Sequence, residues 1–102
     1  MSVAPVLAAL GEESRLRIVT KLCKGGPLSI TKLAAGAHIS RQAVTKHLHA
    51  LRRAALVRSE RRGRERIWKL EPKRIDEVRR YLAQISAQWD VALSRLKSAV
   101  EK

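Results

Sequence analysis

A segment near the middle of the chain, residues 28–70, most constrains the fold. A short apolar pattern and a turn at Gly36 are followed by a second helical pattern over residues 40–53. Ser40 is a good N-cap for that second helix, because its hydroxyl can accept hydrogen bonds from free amides of the first turn. The apolar residues behind it recur at intervals of three and four, at Val44, Leu48 and Leu51. Two short helices joined by a small turn indicate a helix-turn-helix.

The outer face of the second helix carries the side chains that bind DNA in such motifs. Arg41 or Lys46 can pair with guanine, and Gln42 can pair with adenine. The methyl group of Thr45 can contact the methyl group of thymine. We therefore expect the N-terminal half of this helix to read bases and its C-terminal half to meet phosphates. The candidates on this helix are Ser40, Arg41, Gln42, Thr45, Lys46, His49 and Arg52.

A β-hairpin signal follows the second helix directly. Two short alternating runs, residues 56–60 and 66–70, flank a turn in which Gly63 supplies the positive φ of a tight hairpin. Three arginines in this turn repel one another unless an anion lies nearby, which favours contact with DNA phosphates. They are Arg61, Arg62 and Arg64. A helix-turn-helix followed by a hairpin is a winged helix-turn-helix, so we predict a mainly α fold with a β-hairpin wing.

The segment before the motif predicts two further helices within residues 1–24. The first spans residues 3–10, and the second spans residues 12–24 and stops at Gly25-Gly26-Pro27. We expect Cys23, the single cysteine, to be buried in the core. At the start of the supporting helix, Ser29 and Thr31 are candidates for the N-cap and for phosphate contacts. The predicted order is α-α-α-α-β-β-α in one domain of 102 residues.

A long final helix is predicted over residues 73–100. Its apolar residues recur at intervals of three and four, close to a heptad seam. Such a helix is about 40 Å long at 1.5 Å per residue, longer than a compact domain of this size needs. We therefore expect a homodimer formed through the first and last helices. The predicted interface residues are Val6, Leu7, Leu82, Ile85, Trp89, Leu93 and Leu96.

The charge of the chain points to a polyanionic partner. Lys and Arg number 22 against 9 Asp and Glu, a formal net charge of +13. The positive residues are densest in the second helix of the motif and in the wing, which favours nucleic acid over a membrane surface. No apolar run approaches the ~20 residues of a membrane span. The N-terminus lacks the features of a secretory signal, so we expect a cytoplasmic protein.

Other chemistries find little support in the sequence. It contains no glycine-rich phosphate loop, no nucleophile elbow and no plausible pair of catalytic carboxylates, so we do not expect an enzyme. A zinc site needs three or four thiol or imidazole ligands. The one cysteine and three histidines are dispersed between residues 23 and 49 and do not form such a set of ligands. We therefore expect no metal and no cofactor. A thiol switch would need a second cysteine. The sequence identifies no small-molecule inducer.

Several strings resemble the ArsR/SmtB family of small bacterial repressors. Residues 10–18, LGEESRLRI, resemble the family's opening string, and residues 39–48, ISRQAVTKHL, resemble its recognition helix. Ala55-Leu56-Val57 resembles the end of the family string "vLreaGLV", and RRGR with WKL matches its wing. The resemblance covers nearly the whole chain. The cysteine pair that metal-sensing members carry on the supporting helix is absent here, and the last helix holds Asp76 and Asp90 but no histidine.

The resemblance implies a dimeric winged-helix repressor of double-stranded DNA that binds an inverted repeat, often in its own promoter. The basic recognition face agrees with that implication. Two alternatives stay open at this point: a non-specific nucleic-acid-binding protein, and a protein-interaction module that uses the same fold. A metal-responsive repressor is a further, weaker alternative.

Overall fold

A computed structural model of the chain describes residues 2–101. These residues form five helices and three strands. The helices and strands follow one another as α1 (Ala4–Leu10), α2 (Glu13–Gly25), β1 (Leu28–Ser29), α3 (Ile30–Ala34), α4 (Arg41–Arg53), β2 (Val57–Arg62), β3 (Glu65–Leu70) and α5 (Pro72–Val100). The predicted mainly α fold with a β-hairpin wing is confirmed. The predicted order lacked β1, which the structure adds between α2 and α3.

The N-terminal end of α2 is capped by a carboxylate. Glu12 accepts hydrogen bonds from the backbone amides of Arg15, at 3.0 Å, and Ser14, at 3.2 Å. These bonds, together with the nearby His47, lower the pKa of Glu12 below its ordinary value of 4.5. The helix ends before Gly26, whose φ of +70° is readily adopted only by glycine.

The sheet is antiparallel, with the strand order β1-β3-β2. The hairpin of β2 and β3 is longer than predicted, since Arg62 pairs with Glu65 across a two-residue turn. Gly63 in that turn has a φ of +61°, as its position in the sequence predicted. The short strand β1 pairs Leu28 with Trp68 on the other edge of β3. The base of the wing is therefore joined to the helix-turn-helix.

The core lies where the helix-turn-helix packs on α1, α2 and the base of the wing. Its largest fully buried side chains are Trp68, Leu33, Leu48, Leu51, Leu56, Val6 and Val44. In α2 only Ile18, Val19 and Leu22 are buried. The prediction for Cys23 was wrong, because its thiol lies exposed at the edge of the apolar stripe.

The final helix begins at Pro72, one residue before the predicted start, and runs for 29 residues. Buried residues occur only near its N-terminal end, at Arg74 and Val78. The rest of the helix extends beyond the domain, which gives the molecule dimensions of 65 × 29 × 21 Å. The radius of gyration is 17.4 Å, against about 13 Å for a compact domain of this length. The chain by itself leaves the distal half of α5 uncovered.

Candidate nucleic-acid interface

The recognition helix α4 is held by its cap and by its apolar face. Ser40 accepts a hydrogen bond from the amide of Ala43 at 3.1 Å, so the predicted N-cap is present. Val44, Leu48 and Leu51 are buried against the rest of the domain. The opposite face is left to solvent: Arg41, Gln42, Lys46 and Arg52 are exposed, and Thr45 and His49 are half-buried. The side chains predicted to contact DNA therefore share the outer face of α4.

The side chain of Thr45 is already oriented by the helix. Its hydroxyl donates to the carbonyl of Arg41 at 2.9 Å. Because the hydroxyl proton is engaged there, Thr45 presents its methyl group and the acceptor lone pairs of its oxygen to DNA. This arrangement suits the thymine contact predicted from the sequence.

A buried tryptophan connects the recognition helix to the wing. Trp68 of β3 is 1% exposed, and its ring meets the ring of His49 edge-on, with 5.9 Å between centroids. The guanidinium of Arg52 lies 5.6 Å from the centroid of the same ring, a cation–π contact. Arg52 also lies 2.9 Å from Nδ1 of His49. Two candidate DNA-binding side chains of α4 are thus fixed relative to the wing.

The pleat of the wing separates its arginines into two faces. Ser59 pairs with Trp68 and Arg61 pairs with Arg66, so these four side chains share the face that contacts α4. Arg66 donates to the hydroxyl of Ser59 at 2.9 Å. Two arginines directly opposite each other repel, and a phosphate between them would relieve that repulsion. Arg66 was not among the residues predicted from the sequence, although it lies two positions before Trp68.

Arg62 lies on the other face of the wing, among carboxylates. It pairs across the strands with Glu65 and donates to Glu60 at 2.8 Å. Glu60 also accepts from Lys69 at 3.3 Å, and the bonds to Arg62 and Lys69 lower the pKa of Glu60. Arg64 lies in the turn and is exposed. Among the three predicted wing arginines, the structure brings only Arg61 onto the face that contacts α4.

The two candidates at the start of α3 differ in accessibility. Ser29 is buried, and its hydroxyl caps α3 by accepting from the amide of Lys32 at 3.3 Å. Its predicted role as N-cap is confirmed. Because Ser29 is buried and its hydroxyl is engaged by the cap, its side chain is not available to a phosphate, and a phosphate contact at this helix N-terminus stays a prediction. Thr31 is exposed and remains a candidate.

Most residues predicted for the dimer interface are accessible. Trp89 is 66% exposed, and Ile85 is half-buried. Val6 is 0% exposed because it belongs to the core of its own chain, so its assignment to a dimer interface was wrong. The remaining predicted residues are exposed: Leu7, Leu82, Leu93 and Leu96.

Two other kinds of site are absent from residues 2–101. These residues contain no group of three or more His, Cys, Asp and Glu side chains arranged to hold a metal ion. None of the helices in this part of the chain combines the length and apolar character needed to cross a membrane.

Comparison with known proteins places this geometry in a family. The sequence model of a helix-turn-helix domain matches residues 10–60. The HTH-type transcriptional regulator Rv2034 of Mycobacterium tuberculosis is 35% identical over 86 residues, which cover 84% of this chain and 77% of that protein. The HTH-type transcriptional regulator NmtR of the same organism is 41% identical over 68 residues, 67% of this chain. That match spans only 56% of the length of NmtR.

A solved structure extends the similarity to nearly the whole fold. An ArsR-like transcriptional regulator from Rhodococcus sp. RHA1 is 38% identical, with a TM-score of 0.73, and the match covers 94% of this chain and 90% of that one. The winged helix, the basic recognition face and these matches agree with one another. The chain belongs to the ArsR/SmtB family of winged helix-turn-helix transcriptional regulators.

Proposed function

We propose that this regulator is a homodimeric repressor that reads an inverted repeat in double-stranded DNA. The observation that carries the proposal is the basic face formed by α4 together with the face of the wing that contacts α4. Arg52, Arg61 and Arg66 lie along it, and Trp68 fixes the wing to α4. A rigid face of this kind can place a helix in the major groove and arginines on the flanking backbone.

The N-terminal half of α4 supplies the base readers. Arg41, Gln42 and Lys46 project from the exposed face near the start of the helix, which is the end that enters the groove in helix-turn-helix proteins. Each good bidentate contact contributes about 1–3 kcal/mol of discrimination between bases. Arg52, His49 and Thr31 would contact phosphates or the base edges beside them.

The wing supplies contacts that do not depend on sequence. We assign Arg61 and Arg66 to the phosphate backbone, because they face α4 and oppose each other across the hairpin. Arg64 in the turn would lie nearest the adjacent minor groove. Arg62 is a weaker candidate for a phosphate contact, since it is already paired with Glu60 and lies opposite Glu65 across the strands.

A second copy of the chain would cover the exposed half of α5. The midpoint of this helix lies at Ser86, so two copies paired antiparallel about that point overlap along their full length. Trp89, three residues after the midpoint, would then lie opposite Ala83 of the other copy, three residues before it. The groove lined by Val3, Ala4, Leu7 and Tyr81, together with Ser2, lies less than one helical turn from Ala83 along the helix axis. An isologous pair of this kind has the two-fold symmetry of an inverted repeat.

The experiment that tests the proposal is selection of bound sequences from random duplex DNA at about 150 mM salt, the physiological range. One arm contains zinc, and a second contains a chelator. Enrichment of an inverted repeat in both arms is the expected result. No enrichment would instead favour non-specific binding or a protein-interaction role, and enrichment only with zinc would show a metal-responsive regulator. Transcription from a promoter carrying the selected site would then separate repression from activation.

A further inference from the structure

The junction between the recognition helix, the wing and α5 is organised by one buried arginine. Arg74 lies in the first turn of α5 and is only 5% exposed. A guanidinium is always charged, and removing it from water is unfavourable unless its donors are paired. The position of Arg74 therefore needs a structural reason.

The hydrogen bonds of Arg74 join three separate segments of the chain. Its Nε donates to the carbonyl of Ala54, the C-cap residue of α4, at 3.2 Å. Its Nη2 donates to the carbonyl of Ser2 at 3.0 Å, and its Nη1 pairs with Glu77 of α5 at 2.9 Å. One planar group thus ties the end of the recognition helix to α5 and to the N-terminal segment.

The backbone beside Arg74 contains a strained residue and is held by hydrogen bonds. Ala55 has a φ of +62°, in the left-handed region that favours glycine. Such a conformation persists in a residue with a Cβ only when its surroundings fix it. The amide of Leu56 donates to Leu51 at 3.0 Å, and the amide of Glu71 donates to Leu56 at 2.8 Å, which closes the base of the wing. The end of α4, both ends of the wing and the start of α5 meet here.

We propose that Arg74 is a positioning residue that sets the angle between α4 and α5. In a dimer joined through α5, that angle fixes the separation of the two recognition helices, and so the spacing between half-sites that the dimer accepts. This inference rests on the proposed function. Arg74 makes no DNA contact itself, because it is buried beneath the C-terminal end of α4.

The test replaces the planar guanidinium of Arg74 with a different side chain of the same charge. In Arg74→Lys a single ammonium cannot reach the carbonyls of Ala54 and Ser2 and the carboxylate of Glu77 in the same geometry. Arg79→Lys is the matched control, since Arg79 is exposed on the same helix and pairs with Asp76. Glu77→Gln is a milder second variant, which removes the charge that orients Arg74 but leaves the arginine in place.

The first readout needs no DNA. Cys23 is the only cysteine, so Cys23→Ser with Gln42→Cys allows a spin label to be placed on α4 alone. We expect a narrow distribution of distances between the two labels in the dimer. That distribution should broaden or shift in Arg74→Lys and remain unchanged in Arg79→Lys. An unchanged distribution in a folded Arg74→Lys dimer would overturn the inference; if that variant does not fold, Glu77→Gln is judged by the same criterion.

The second readout concerns the spacing of half-sites. Selected DNA should show the same bases within each half-site for the parent protein and Arg74→Lys, but a wider range of spacings for the variant. Equal spacing preferences would again contradict the inference. If the parent protein is dimeric but selects no inverted repeat, the DNA-reading part of the proposed function fails, and the distance measurement on the dimer still decides whether Arg74 fixes α4. A parent protein that forms no dimer would overturn both the proposed function and this inference.

Discussion

The two faces of the wing lead to a prediction that a pair of matched substitutions can test. Arg66→Ala removes an arginine from the face that contacts α4, where it lies opposite Arg61. Arg62→Ala removes the same charge four residues away, from the face where Glu60 and Glu65 lie. Both changes lower the net charge equally. Any difference between the two variants therefore reports the position of the side chain and not the total charge.

The size of the effect follows from counterion release. Each phosphate contact contributes about 0.9 to the slope of log K against log salt for B-DNA. A dimer contains two copies of Arg66, so Arg66→Ala should reduce that slope by about 1.8. Between 50 and 200 mM salt the parent protein should then lose about tenfold more affinity than the variant. Arg62→Ala should change the slope by much less.

Affinity for the selected operator is measured by fluorescence anisotropy at several salt concentrations for the parent protein and both variants. An operator with scrambled half-sites gives the non-specific reference. Arg66→Ala should lower specific and non-specific binding together, because phosphates carry no sequence information. Equal slopes for Arg62→Ala and Arg66→Ala would refute the assignment of faces. A loss of base preference in Arg66→Ala would refute its assignment to phosphate.

Three further predictions use other parts of the fold. Trp89→Asp should convert the dimer to a monomer in analytical ultracentrifugation, and a variant that stays dimeric would contradict the α5 interface. Ala55→Gly should raise stability by about 1 kcal/mol by relieving the positive φ, or about 4–8 °C in Tm; an unchanged or lower Tm would count against strain at this residue. Glu12 has a lowered pKa in the folded protein, so its stabilisation is present above about pH 4.5 and is lost as the pH falls further. Glu12→Gln should therefore lower Tm more at pH 7 than at pH 3, and an equal loss at both would exclude a role for the charge.

The recognition helix and the hairpin could be predicted from the sequence because their signals are local. The cap at Ser40 and the apolar spacing of Val44, Leu48 and Leu51 together define α4. Gly63 marks the hairpin turn, because few other residues adopt its φ. Each of these signals depends only on residues a few positions apart. The structure changes the bounds of these elements by a few residues and leaves their type unchanged.

The width of the apolar stripe on α2 could not be predicted in the same way. The pattern includes Leu16 and Cys23 as well as Ile18, Val19 and Leu22. Only the central three are buried, and the two at the edges are exposed. Periodicity gives the direction of an apolar face, but the neighbouring elements determine how much of that face they cover. In a small domain that coverage is limited.

Contacts between distant segments account for the functional residues that the sequence analysis missed. Arg66 could be placed on the wing face that contacts α4 only once the strand register and the contact of Trp68 were known. Ser29 is enclosed because β1 pairs with β3, which lies about forty residues later in the chain. In the sequence Arg74 is one of several basic residues on an amphipathic helix, and only its hydrogen bonds to Ala54 and Ser2 distinguish it. Local patterns thus predict which surface meets DNA, whereas the angle at which two copies present that surface depends on bonds between segments far apart in the sequence.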